Sequence, residues 1–102
     1  MSRMHRLIKI GDKEYALRYT INSVCCLEER FGKSLHSLLC TDVSSVRALL
    51  WCALLDRCNL TLEQAGELLD EALDQGRSLT DIGAHCAKAL HEAGFFRPAE
   101  GR

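Results

Sequence analysis

Proline is nearly missing from this chain: the one copy, Pro98, stands close to the carboxyl end. Helices upstream of it therefore run without the lost donor and ring clash that proline imposes. Long apolar runs are missing too. The longest, Ala48–Leu55, falls far below the roughly 18 residues that a membrane span needs. Nor is there charge of one sign, since the net charge is −1 and the pI about 6.4, which gives nucleic acid or anionic lipid no global field to follow. Met1 to Arg6 is basic, but no apolar segment follows as in a secretory signal, so a cytoplasmic location is expected. Aromatic residues are few, with a single tryptophan, Trp51.

The motifs of catalysis are equally scarce. There is no glycine-rich phosphate loop and no short cysteine pair of the C-x2–4-C kind that structural zinc favours. His36 and Cys40 are spaced for one helical face, and His85-Cys86 offers two more donors. Cys25-Cys26, however, diverge by about 100° on a helix and make poor joint ligands. No cysteine is singled out beside a histidine as a nucleophile. The carboxylate neighbours Glu28-Glu29 and Asp70-Glu71 read as solvated helix faces. We expect no catalytic residue, no metal and no cofactor. The six cysteines mostly fall within helical apolar patterns, where a free thiol packs as a small hydrophobe. Buried, reduced thiols are the expectation.

What the chain has is helix punctuation and apolar helix surface. With 102 residues, 47% apolar and 26% charged, it is sized and composed as one globular domain. Alternation from His5 to Ile10, turn chemistry at Gly11-Asp12-Lys13 and alternation again through Tyr15, Leu17 and Tyr19 predict a β-hairpin over about 5–19. A lone hairpin is marginal in water, so it must lie on helices or gain strands from a partner. Thr20 or Asn22 caps a helix that reaches about Phe31 and stops at Gly32. Ser34 to Leu39 reads as a turn or two of helix. Thr41 or Asp42 opens the next helix, from about Val43 to Arg57. Its carboxyl half is apolar all round, so it is central to a core or covered by another chain. Thr61-Leu-Glu-Gln64 is a capping box, followed by the stripe Leu62, Ala65, Leu69, Ala72 and Leu73. Ser78 or Thr80 starts a last helix with its own stripe, Ile82, Cys86, Ala89, Leu90 and Ala93.

The two final helices and their short link have the outline of a helix-turn-helix. A recognition helix should offer Arg, Lys, Asn or Gln near its start. This one offers Asp81 and Gly83, and the helix before it is acidic, which phosphate would repel. Binding to protein is the stronger reading, because aromatics such as Trp51, Phe95 and Phe96 commonly anchor interfaces.

The order of features resembles a family. A short amino-terminal hairpin, Tyr15-x-Leu-Arg, Leu27-Glu-Glu-x-Phe-Gly-x-Ser-Leu35, a Trp-bearing apolar helix and Leu60-Thr-x-Glu-x-Ala-x-x-Leu-Leu69 are similar to the small tail assembly chaperones of tailed phages, prophages and gene transfer agents. The likeness spans about Leu7 to Leu73. It implies a non-enzymatic protein of the host cytosol that coats the tape-measure protein until the tail tube forms, with the tail-tube protein as a further candidate partner. The cysteine load departs from the family pattern, most visibly at Cys25-Cys26. A small prophage DNA-binding regulator and an antitoxin- or adaptor-like domain are the alternatives.

The expected architecture is mainly α: a four- to five-helix domain over 1–96 with an amino-terminal hairpin, then a disordered end at 97–102. Leu27, Phe31, Leu35, Leu39, Val46, Leu50, Leu54, Leu69 and Leu73 are expected in the core. Trp51 and Leu55, the carboxylates Glu63, Glu67, Asp70 and Glu71, and the pair Phe95 and Phe96 are the candidate partner-binding residues. A free hairpin edge or an uncovered helix would also permit self-association.

Overall fold

A computed structural model describes residues 6–39 and 42–95. The chain is mainly α, with an antiparallel two-stranded hairpin followed by five helices among the described residues. Strands β1 (Arg6–Ile10) and β2 (Lys13–Leu17) pair with Ile8 opposite Tyr15 and Ile10 opposite Lys13. Gly11 has φ 67°, as a two-residue connection with glycine in its first central position requires. The pleat sends Ile8, Ile10 and Leu17 inward, each no more than 2% exposed, and leaves Leu7 on the outer face at 54%.

Helix α1 (Ile21–Phe31) opens on a capping box in which Thr20 and Ser23 exchange side-chain bonds, each to the other's amide at 3.0 Å. It ends at Gly32, whose φ of 64° places it in the left-handed region, with its amide donating to the Glu28 carbonyl. The short α2 (Leu35–Leu38) is tied back to α1 because the Leu35 amide donates to the Glu28 carboxylate at 2.7 Å. Asp42 caps α3 (Val43–Cys58), accepting from the Ser45 amide; the alternative cap, Thr41, lies outside the described residues. Hydrogen bonding from the Ser45 hydroxyl, with a smaller part from its amide, holds the Asp42 carboxyl below its ordinary pKa. Thr61 and Gln64 form the second capping box at the start of α4 (Leu62–Asp74). Ser78, rather than Thr80, caps α5 (Leu79–Glu92).

Helix α3 is the axis of the fold. α1, α2, α4, α5 and β2 all pack against it. Val46, Ala48, Leu50, Cys52 and Ala53 are wholly buried along it, so its all-round apolarity is satisfied inside this chain. Two polar atoms inside the core find partners on backbone. The Tyr19 hydroxyl donates to the Leu49 carbonyl at 2.7 Å, and the Cys52 thiol donates to the Ser23 carbonyl at 3.3 Å.

The hairpin lies on the helices, fastened at both ends. The Arg18 amide donates to the Ala53 carbonyl of α3. At the tip, the Gly11 amide donates to the Gln75 side chain, and Arg77 donates to the Lys9 carbonyl at 2.6 Å. A Cβ at Gly11 would meet only the end of the exposed Glu71 side chain, which can swing aside, so the positive φ is what calls for glycine there.

Three expectations are corrected. Leu73 is not core but 42% exposed. On α4 it sits about 80° around from the wholly buried Ala65, at the edge of the apolar stripe. Buried thiols hold for Cys52 and Cys86, whereas Cys25, Cys26 and Cys58 are exposed; all five are free, and Cys40 lies outside the described residues. The expected core also omitted the hairpin, whose isoleucines are among the most buried side chains. The segment 97–102, expected to be disordered, lies outside the described residues.

Candidate partner-binding cleft

The candidate binding residues separate into two groups. Trp51 belongs to the interior, being 7% exposed, and so is not the surface anchor its chemistry suggested. Its indole Nε1 donates to the Leu60 carbonyl at 3.0 Å, the Phe31 ring meets it edge-on at 6.5 Å, and the Arg30 guanidinium covers it at 5.5 Å. These contacts close the α3–α4 link against α1. Leu55 and Phe95 are half-buried and pack on the core; Phe96 lies outside the described residues.

The second group is the acidic face of α4, and the helix divides it between two sides. Glu63, Glu67 and Asp70 turn toward the amino half of α3, while Glu71 turns toward the hairpin tip above Gly11. On the hairpin side a depression of about 450 Å³ is lined by Lys13, Tyr15, Leu60, Leu68 and Glu71, with Glu67 shared. On the opposite side a cleft of about 390 Å³ runs between α3, α4 and the start of α5. It is more apolar, and Val43, Leu69, Leu73 and Leu79 line it beside Arg47 and Gly66.

That cleft brings together residues the sequence had assigned separately. Val43 is the first residue of α3 and is 61% exposed, because Val46, a turn later, is the side chain that enters the core. Leu73 looks across at it from α4. The Arg47 side chain lies over Gly66, where a Cβ would sit 3.4 Å from the Arg47 Cδ. The Arg47 stem thus lies along α4, with Nε shielded from solvent and no acceptor among the described residues. Glu63, Glu67 and Asp70 form no ion pair with Arg47 within 4.0 Å among the described residues. Periodicity does not mark Leu73 or Val43 as surface, because each shares a side of its helix with buried residues. Nor does anything in the spacing of Arg47 separate it from a solvated charge.

The start of α5 is organised around structure. The Arg77 guanidinium donates to Asp81 through Nε at 3.1 Å and Nη2 at 3.0 Å while holding the Lys9 carbonyl. His85 Nε2 lies 3.7 Å from the same carboxylate. Arg77, a base that a recognition helix would turn to DNA, is therefore engaged within the fold. His85 and Cys86 also diverge, the imidazole toward Asp81 and the thiol into the core. Burial raises the Cys86 thiol pKa to about 11 and that of Cys52 to about 12, and drives the Tyr19 hydroxyl well above its ordinary value.

No family model, curated protein or solved structure matches this chain. Among the described residues, no helix is long and apolar enough to cross a membrane.

Proposed function

We propose that this chain is a non-enzymatic tail assembly chaperone, which binds the tape-measure protein of a phage or prophage in the host cytosol and keeps it soluble until the tail tube forms. The observation that carries the reading is the surface of α4, where an exposed leucine and three carboxylates, unpaired among the described residues, border an apolar cleft. A long helical partner with an apolar stripe would self-associate through it, and small domains that cover the stripe reversibly prevent that. Acidic rims give such contacts orientation and speed more than affinity. The resemblance over Leu7 to Leu73 points the same way. A DNA-binding role is disfavoured by the acidic α4 and by the engagement of Arg77 with Asp81 and the hairpin.

The test is co-expression with the tape-measure protein of the same genome. Tape measure that stays in the soluble fraction only when this chain is present supports the reading. Tape measure that precipitates equally with and without it contradicts the reading.

A further inference from the structure

We propose that the cleft between the amino half of α3, α4 and the start of α5 is a docking groove for one amphipathic helix of the partner, with lysine or arginine flanking its apolar stripe. The proposal rests on the chaperone reading for the partner's identity and adds the surface and the kind of segment.

Exposed apolar side chains scattered singly are ordinary. Here Val43 and Leu73, at 61% and 42% exposure, face one cleft, and Leu69 and Leu79 continue the apolar strip beneath them. A strip of this kind suits the i, i+3, i+4, i+7 anchors of a helix laid in a groove. Charge decides which helix. The rim carries three carboxylates, Glu63, Glu67 and Asp70, against the single guanidinium of Arg47. None of the four is committed to an ion pair among the described residues, so the unmatched charge selects a basic partner. Gly66 gives the Arg47 stem room to lie against α4. With its Nε shielded from solvent, Arg47 thus forms part of the groove wall.

The depression on the hairpin side is the competing surface. It sets Lys13 against Glu67 and Glu71 and is walled by Tyr15 and Gln64, so it offers a basic helix less apolar area and a smaller excess of negative charge.

The experiment uses the full chain, methyl- and amide-labelled for NMR. It is titrated with a synthetic leucine/lysine amphipathic helix and with a leucine/glutamate helix of the same spacing. The proposal expects the lysine peptide to shift the methyls of Val43, Leu69, Leu73 and Leu79, and the glutamate peptide to leave them unmoved. Val43→Ser with Leu73→Gln should weaken binding by about tenfold or more. Glu67→Lys with Asp70→Lys should also weaken it, whereas Leu7→Gln, exposed on the hairpin, should not. Both cleft positions are exposed enough that the fold should survive, which circular dichroism verifies. No binding, equal binding of the two peptides, shifts centred on Tyr15, Leu60 and Leu68, or indifference to the double variant would each overturn the proposal. Capture of the tape-measure protein, run in parallel, separates the two claims. Capture that survives Val43→Ser with Leu73→Gln removes the groove and leaves the chaperone reading. Peptide docking in the cleft without capture by the unaltered chain leaves the groove and removes that reading.

Discussion

At the scale of single residues, burial sorts side chains that look alike in the sequence. Leu27 and Leu73 are both leucines in amphipathic helices, yet one is fully buried and the other 42% exposed. Leu27→Ala should destabilise the fold by about 2–5 kcal/mol, and Leu73→Gln should stay within about 0.5 kcal/mol, as urea titration would measure. The cysteines divide the same way. Native alkylation should label Cys25, Cys26 and Cys58 and spare Cys52 and Cys86 until the chain unfolds. Labelling of Cys52 or Cys86 at the rate of the exposed three would contradict the packing. Burial also raises the Cys52 and Cys86 pKa values, so the native state holds their protons after the unfolded chain has released its own. Their contribution is fully present below the unfolded thiol pKa and is lost as pH climbs from about 9 toward 11 and 12. Stability should therefore decline over that alkaline window, and replacing both cysteines with alanine should flatten this part of the decline.

At the scale of elements, caps and turns were the most legible part of the sequence. The Thr61/Gln64 box, Gly32 at the end of α1 and the two-residue turn at Gly11 all rest on local chemistry that neighbours in sequence suffice to specify. Thr61→Ala should cost about 1 kcal/mol in thermal or denaturant unfolding by leaving the Gln64 amide without its acceptor. Gly83 tests the converse. It lies inside α5, and a Cβ there would meet Val46 Cγ2 at 3.5 Å, an ordinary contact. Gly83→Ala should stabilise the chain by about 0.5–1 kcal/mol, and destabilisation would mean that α5 packs closer to α3 than described. Periodicity was less informative at stripe edges. It grouped Leu73 with Leu69 because the two share a side of α4, but the core reaches only as far around the helix as its neighbours do.

Over the whole molecule, the mainly α architecture was legible, whereas the all-round apolarity of α3 left burial in this chain and cover by another both open until the packing decided for the first. The docking of the hairpin was not legible. It depends on long-range bonds, such as Arg77 to the Lys9 carbonyl and Gly11 to Gln75, that join residues more than 60 positions apart. Trp51 illustrates the same limit. Tryptophan chemistry suits an interface and a core equally well, and only the placement of Phe31, Arg30 and Leu60 around it decides. The candidate site was half legible: its carboxylates stood out as an acidic helix face, while its apolar floor is assembled from the ends of three helices. The proposed chaperone role draws on that assembly, since repeated cover of a long amphipathic partner would call for a small domain with one apolar groove and a charged rim.

The measurement closest to this claim is the mass of the complex captured with tape-measure fragments of increasing length, read by light scattering after size exclusion. The account predicts several copies of this chain per fragment, with the number rising as the fragment lengthens. A single copy at every length, or no complex at all, would contradict it.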